Sequence, residues 1–309
     1  QKDEKGEEKW ENQSIPLLDL ELLVIVGSRV RVSSGVLVML SEAGVPVLIH
    51  SRRTDVSILT PFTVRIAEVR RRLYKVRESD IWRFHIGRAF IEGKLAGMAN
   101  VARYFAYKEA EKGKEMKDTL KEISEIEKKR REELVEVKNL DRLRLYEAKW
   151  SKKYWELLAY FIPSEYSFTG RNPKSRDPVN AAINYTYAII YTLCTHAIIA
   201  AGLDPYAGIL HIERAGRTSL TYDFSEMFKP IAIHASIVAS RTTNLKTGKN
   251  GYLVKNSLKA VTKHLYKNLR RRHATWKYTV RGNIYKKAWE LRQNIETGEK
   301  FIPFIYKIK

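Results

Sequence analysis

From Phe62 onward, apolar residues return every three to four positions, through "FTVRIAEVRRRLYKVRESDIWRFHIGRAFIEGKLAGMANVARYFAYKEAEK". A stripe of that period is buried only as the inner face of an amphipathic helix, so the chain beyond Pro61 is expected to fold as packed helices. Upstream the pattern differs. "IPLLDLELLVIVG" reads as one or two strands, and "VPVLIH" is a β-branched run too short for a helix. Between them Ser33 or Ser34 can cap a short helix through Ala43, closed by Gly44. The first 13 residues are polar and read as loop or hairpin, and the start at Gln1 rather than Met leaves an upstream segment to be expected. The expected class is therefore α+β. A small β-rich domain over 1–61 precedes an α-helical domain over 62–309, and 309 residues suffice for two cores.

Local punctuation divides the helical part. Lys108 to Lys138 alternates in charge and is broken at Gly113, the pattern of a solvated helical hairpin with ion pairs along its faces. Asp177-Pro178 is a cap followed by proline at the first helical position, and it opens a long apolar helix that Gly202 closes. There is no internal repeat and no low-complexity tract.

Charge narrows the partners. Lys and Arg number 56 against 35 acids, a formal net charge of +21. From Arg241 to Lys309 there are 18 cations against three acids, so most of the excess lies in the last quarter. Such a field calls for an anionic partner, nucleic acid or an anionic membrane surface. A membrane span is excluded by length: the longest apolar run, "AIIYTLCTHAIIAAG", is 15 residues and carries a His and two Thr, whereas a span needs about 20. Cys194 is the only cysteine, which rules out internal disulfides and thiolate zinc sites and fits a reducing cytoplasm. "LYKNLRRRHATWKYTVRG" interleaves cations with aromatic rings, a composition suited to phosphate contact and base stacking or to a solvated basic helix.

One stretch concentrates reactive side chains. In "GILHIERAGRTSLTYDFSE", His211 precedes a Gly-containing turn, and Asp223 and Glu226 follow, three apart. On one helix face those carboxylates would lie roughly 5–6 Å apart at Cβ and repel unless a cation or proton lies between them. An imidazole with carboxylate oxygens suits Mg²⁺ or Mn²⁺. The commoner reading of such spacing is a hydrogen-bonded, capped junction, and both readings stand at this point. His196, in an apolar helix, reads as a satisfied core histidine. Asn180, Asn184 and Tyr187 share a helix face that either lines a site or packs.

The stretch "GLDPYAGILHIERAGRTSLTYDFSEMFKP" resembles the signature of the CRISPR-associated integrase of the adaptation machinery, the first-numbered Cas protein. Two further blocks, "YEAKWSKKYW" and "RNPKSRDPVNAAINYTYAII", are similar to that family's other motifs and stand in its order, with weaker similarity in "RAFIEGKLAGMANVARY" and "AWELRQ". The resemblance implies metal ligands at Glu147, His211 and Glu226, with Asp223 an adjacent catalytic carboxylate and Mg²⁺ or Mn²⁺ as cofactor. It implies DNA contacts from Lys152, Arg171, Arg217 and Lys229, to which the charge pattern adds Arg270, Arg271 and Arg272. Lys152 and Lys229 stand where the family has Arg, which keeps the charge but not the bidentate fork.

The activity implied is that of a metal-dependent DNA endonuclease and integrase that inserts short fragments into a CRISPR array through attack by a 3′-hydroxyl. The partners implied are double-stranded and branched DNA, a homodimer formed through the β-rich domain, and the second-numbered Cas protein. Two alternatives remain. One is the related transposon-encoded integrase, ranked second because little chain follows for the helix-turn-helix domain it often carries. The other is a non-catalytic basic DNA-binding scaffold.

Overall fold

The computed structural model describes residues 14–17, 20, 23–26, 30–43, 45, 47–50, 57–59, 67–211 and 216–308. The chain divides into two units, 1–64 and 65–309.

In the first unit, strand β1 (Leu23–Val26) pairs in parallel with β2 (Val47–His50), Leu23 opposite Val47, and β2 pairs antiparallel with β3 (Ser57–Leu59). A parallel pair needs a crossover, and α1 (Ser34–Glu42) supplies it. Ser33 caps α1 as expected, its hydroxyl accepting from the Val36 amide at 3.4 Å. Residues 1–13 and Gly44 lie outside the described residues.

The α+β expectation is overturned. Ten α-helices stand against three strands of four, four and three residues, so the described residues are nearly all helical. The reason is where apolar area is buried. Among the described residues the N-terminal cluster has Leu40, Val45 and Val47 enclosed, and Leu40 belongs to α1; the other enclosed apolar side chains of the two clusters lie in the helical unit. Short β-branched runs gave the right local element but not the class.

The helical unit is built around α3 (Asp80–Ala110), which buries Phe90, Leu95, Met98 and Phe105 on several sides and so lacks a single apolar stripe. Helix α2 (Ala67–Arg77) precedes it. Against α3 pack α4 (Lys117–Glu136), α5 (Leu140–Ala159), α8 (Lys229–Thr242) and a 3₁₀ turn at Glu226–Phe228. That turn continues α7 (Ser219–Ser225). Helix α6 (Pro178–Ala200) packs on α7, α8, α9 (Lys255–Arg270) and α10 (Val280–Thr297). Asp177 caps α6 and Gly202 follows it in the left-handed region at φ 77°.

Two glycines of α3 allow the closest of these contacts. A Cβ at Gly93 would lie 2.5 Å from the Phe304 carbonyl oxygen and 2.8 Å from Met227 Cγ; one at Gly97 would lie 2.7 Å from Pro230 Cγ. Phe304 belongs to a strap, residues 299–308, that follows α10 and buries Phe301, Phe304, Tyr306 and Ile308. Phe304 stacks on Phe228 at 5.0 Å between ring centres. The Arg271 guanidinium donates to the Ile308 carbonyl at 2.9 Å, and the Tyr306 hydroxyl meets His234 Nδ1 at 2.9 Å.

The charged segment 108–138 forms the expected pair of helix ends, turning through Gly113 at φ 83°. It is not wholly solvated. Arg130 is 1% exposed and donates to Glu127 at 2.9 Å, while Tyr154 also donates to that carboxylate. Glu109 is likewise buried, gripped by Lys112, Lys114 and Arg241. No described helix is long and apolar enough to cross a membrane.

Burial holds the imidazole of His234 down at about 3 and that of His196 at about 4. A histidine whose folded pKa is depressed binds its proton in the unfolded chain first, so stability falls as pH drops below the ordinary value near 6.5. Urea unfolding at pH 7.5 and pH 5 should therefore show an acid loss that shrinks in His234→Asn; an unchanged loss would exclude His234 as a source.

Candidate active site

The loop before α7 is held by one carboxylate. Asp223, fully buried, accepts from the backbone amides of Ile209 at 2.6 Å, Leu210 at 2.8 Å and His211 at 3.3 Å. It also accepts from His211 Nδ1. Three converging amides stabilise the charge and fix the loop, and the ring bond orients the imidazole. An anionic partner at Nδ1 selects the tautomer with its proton there and leaves the lone pair on Nε2.

Glu226 follows where α7 tightens into the 3₁₀ turn, and its partners are different. Its Oε1 pairs with Lys229 Nζ at 2.5 Å and its Oε2 lies 2.9 Å from Lys94 Nζ. Lys94, from α3, also donates to Glu147 of α5, which accepts a further bond from Ser151 Oγ at 2.7 Å. One ammonium thus bridges carboxylates from two separate elements. Burial would push the Glu226 carboxyl up, but Lys229 and Lys94 outweigh it and hold it down at about 2. Burial would lower the Lys94 ammonium, and the charges of Glu226 and Glu147 instead raise it above the usual lysine value.

Around this pair lies a layer of rings and cations. Lys229 Nζ sits 5.3 Å from the Tyr187 ring centre and 5.8 Å from that of Tyr191. Arg171 lies 5.3 Å from the Tyr187 ring centre and donates to Asn180 at 3.0 Å and Asn184 at 2.6 Å, so the shared face of α6 does border the site. Burial pushes the Tyr187 hydroxyl up to about 12, which keeps it a neutral donor. Arg217 covers Tyr222 at 5.0 Å. Lys152 is exposed on α5, and Arg270 and Arg272 are exposed at the end of α9. Arg271, between them, is half-buried, and one nitrogen of its guanidinium donates to the strap.

The structure therefore joins Glu147 to Glu226 through Lys94 and joins His211 to Asp223. Among the described residues no three His, Cys, Asp or Glu side chains converge as a ready-made metal ligand set. The spacing left open a cation or proton between Asp223 and Glu226 or a hydrogen-bonded, capped junction; in the structure each acid has its own partners, the loop amides and His211 for Asp223 and two ammonium groups for Glu226. His196 is a core residue bonded to Tyr285, as expected. Lys94 and Ser151 were missed. For Lys94 the available signal was a lysine in "GKLAG", where small residues announce close packing and a charge needs a partner.

A helical core that presents two acids and an oriented imidazole beside a cationic layer is the build of a nuclease acting on a phosphodiester backbone. The chain belongs to the CRISPR-associated Cas1 family of endonucleases. The family model described as CRISPR associated protein Cas1 matches residues 2–278. The CRISPR-associated endonuclease Cas1 of Hyperthermus butylicus is 30% identical over 95% of this chain and 90% of its own length. That of Archaeoglobus fulgidus, numbered Cas1 1, is 31% identical over 68% of this chain and 65% of its own. Among solved structures, the Cas1 protein of Thermotoga maritima superposes with a TM-score of 0.73 at 18% identity, covering 97% of this chain and 92% of that one. A casposase bound to its integration product superposes with 0.71 at 20% identity, covering 92% and 93%.

Asp223→Asn should remove charge from the loop clamp and cost about 1–3 kcal/mol in urea unfolding. It should also speed amide exchange at 209–211. Glu226→Gln should leave exchange at those amides unchanged; acceleration there would mean that the two acids act as one unit.

Proposed function

We propose that this chain inserts short DNA fragments into a CRISPR array by transesterification, with a fragment's 3′-hydroxyl attacking a target phosphodiester. The observation that carries the reading is the pair of the half-buried Glu147 and the buried Glu226, drawn together from α5 and the 3₁₀ turn around one positive charge. Glu226 Oε2 is buried and has the Lys94 ammonium 2.9 Å away as its partner, so a cation that took the place of that ammonium would find lone pairs to accept. Two hard carboxylates and an imidazole with Nε2 available suit Mg²⁺ or Mn²⁺. Glu147, Glu226 and His211 would hold the ion, which supplies Lewis-acid stabilisation of charge on the phosphoryl and leaving oxygens.

The chain's own groups do the rest. Asp223 keeps His211 turned so that Nε2 faces away from the clamp. Lys229, Arg171 and the neutral Tyr187 hydroxyl offer donors to phosphate oxygens beside the carboxylates, and Lys152 and Arg217 extend the cationic surface. Arg270 and Arg272 supply sequence-independent affinity for duplex and branched DNA. The N-terminal unit serves dimerisation, and the second Cas protein of the adaptation complex is the expected partner in the cytoplasm. A complex of Cas6-RT-Cas1 with Cas2 is among the structures this fold superposes on, with a TM-score of 0.73 over 96% of this chain. The presence of all the candidate ligands, both acids and the oriented imidazole, speaks against a purely architectural scaffold.

Glu147→Ala, His211→Ala and Glu226→Ala should each abolish strand transfer on branched DNA in Mn²⁺ and leave duplex binding within a few-fold. Full turnover by all three would sink the assignment. Arg270→Ala with Arg272→Ala should lower the slope of log K against log salt by about 0.9 per phosphate, roughly 1.8 for the pair. Arg271→Ala should instead lower stability, and a larger slope change from Arg271 than from its neighbours would reverse these roles.

A further inference from the structure

The charges of the site balance without any added ion. Lys94 and Lys229 face Glu147 and Glu226 in a cluster whose side chains are 24% exposed or less. Lys94 and Glu226 are buried and Glu147 and Lys229 are half-buried, so adding a divalent cation to this neutral group of four leaves it doubly positive unless an ammonium departs, and uncompensated charge in such a place is expensive. The geometry singles out which one. Of the two acids Lys229 meets Glu226 and not Glu147, through Oε1 and from the next turn of the same segment, and its ammonium also faces the Tyr187 and Tyr191 rings. Lys94 touches both acids and is the ammonium set against Oε2, at 2.9 Å, as well as against Glu147. Its backbone cannot drift to make room, because α3 is locked at Gly93 against Phe304 and Met227. Only the lysine side chain is free to leave.

We propose that the Lys94 ammonium is the resident counter-cation of the Glu147–Glu226 pair, which holds the two carboxylates together until a divalent ion displaces it and thereby sets how tightly that ion binds. Lys94 is on this account a positioning residue. It keeps the acids from repelling each other before the ion arrives, and it makes ion binding an exchange of one cation for another. The inference rests on the reading of Glu147 and Glu226 as ligands.

Mn²⁺ titration of the full chain, followed by the electron paramagnetic resonance of free Mn²⁺, tests it. Lys94→Met should bind Mn²⁺ at least about tenfold more tightly than the parent, because a competing charge within 4 Å is gone. Lys94→Arg, which keeps the charge, should stay within about threefold of the parent. In EDTA the Met variant should melt below the parent, and Mn²⁺ should restore it by more than it raises the parent. A second measurement needs no variant: labelling of lysine amines, read by mass spectrometry, should rise at Lys94 when the parent is saturated with Mn²⁺. Equal or weaker Mn²⁺ binding by Lys94→Met overturns the proposal, as does unchanged labelling of Lys94, or a tightening seen with Lys229→Met and not with Lys94→Met. If the parent binds Mn²⁺ and only the Lys94 effect is missing, the ligand assignment survives and this inference falls. If neither parent nor Lys94→Met binds Mn²⁺, both fall together.

Discussion

The close approach of α3 to the Glu226 turn is the contact on which the rest of the molecule depends. It exists because positions 93 and 97 carry no side chain: a methyl at either would sit under 3 Å from Phe304, Met227 or Pro230. Such overlaps cannot be relieved by a rotamer change when the neighbour is backbone or a packed ring, so any bulk there must part the helix from the turn. With the gap closed, the residue between the two glycines on the same helix is carried to the Glu147 and Glu226 carboxylates. Packing and electrostatics are thus one constraint seen from two sides.

The acids around that contact divide their work. Asp223 spends its oxygens on backbone amides and one ring nitrogen, so its product is orientation. Glu226 and Glu147 spend theirs on ammonium groups, so their product is a negative locus that another cation can take over. A tight helical turn separates the two roles by three residues and two environments. Freely solvated, the same side chains would be interchangeable; held against fixed neighbours, each is defined by its partner.

Sequence reasoning reached what local chemistry or motif order decides. The caps at Ser33 and Asp177, the stop at Gly202 and the core status of His196 follow from rules that act within a few residues. The family motifs pointed to Glu147, His211, Asp223 and Glu226. What was illegible depends on contacts across long stretches of chain. Lys94 meets Glu226 only because 132 residues of helix and turn fold back onto α3. Arg271 read as one cation of three until the strap occupied its guanidinium. Glu127 and Arg130 read as solvated charge until Tyr154 and Tyr146 closed over them. The α+β expectation failed in the same way, since runs of Val, Ile and Leu report a buried element and not the size of the core it joins.

The strap over 299–308 has a bearing on how the protein comes into being. Phe304 is the wall against which Gly93, Met227 and Phe228 are set, yet a ribosome delivers it long after all four of Glu147, His211, Asp223 and Glu226 have emerged. A nascent chain that already carries every reactive side chain still lacks the surface that presses α3 onto the Glu226 turn. The contact that sets α3 against the Glu226 turn is therefore completed by a segment 77 residues beyond Met227, so the part of the chain that shapes the turn is the last of its partners to be made.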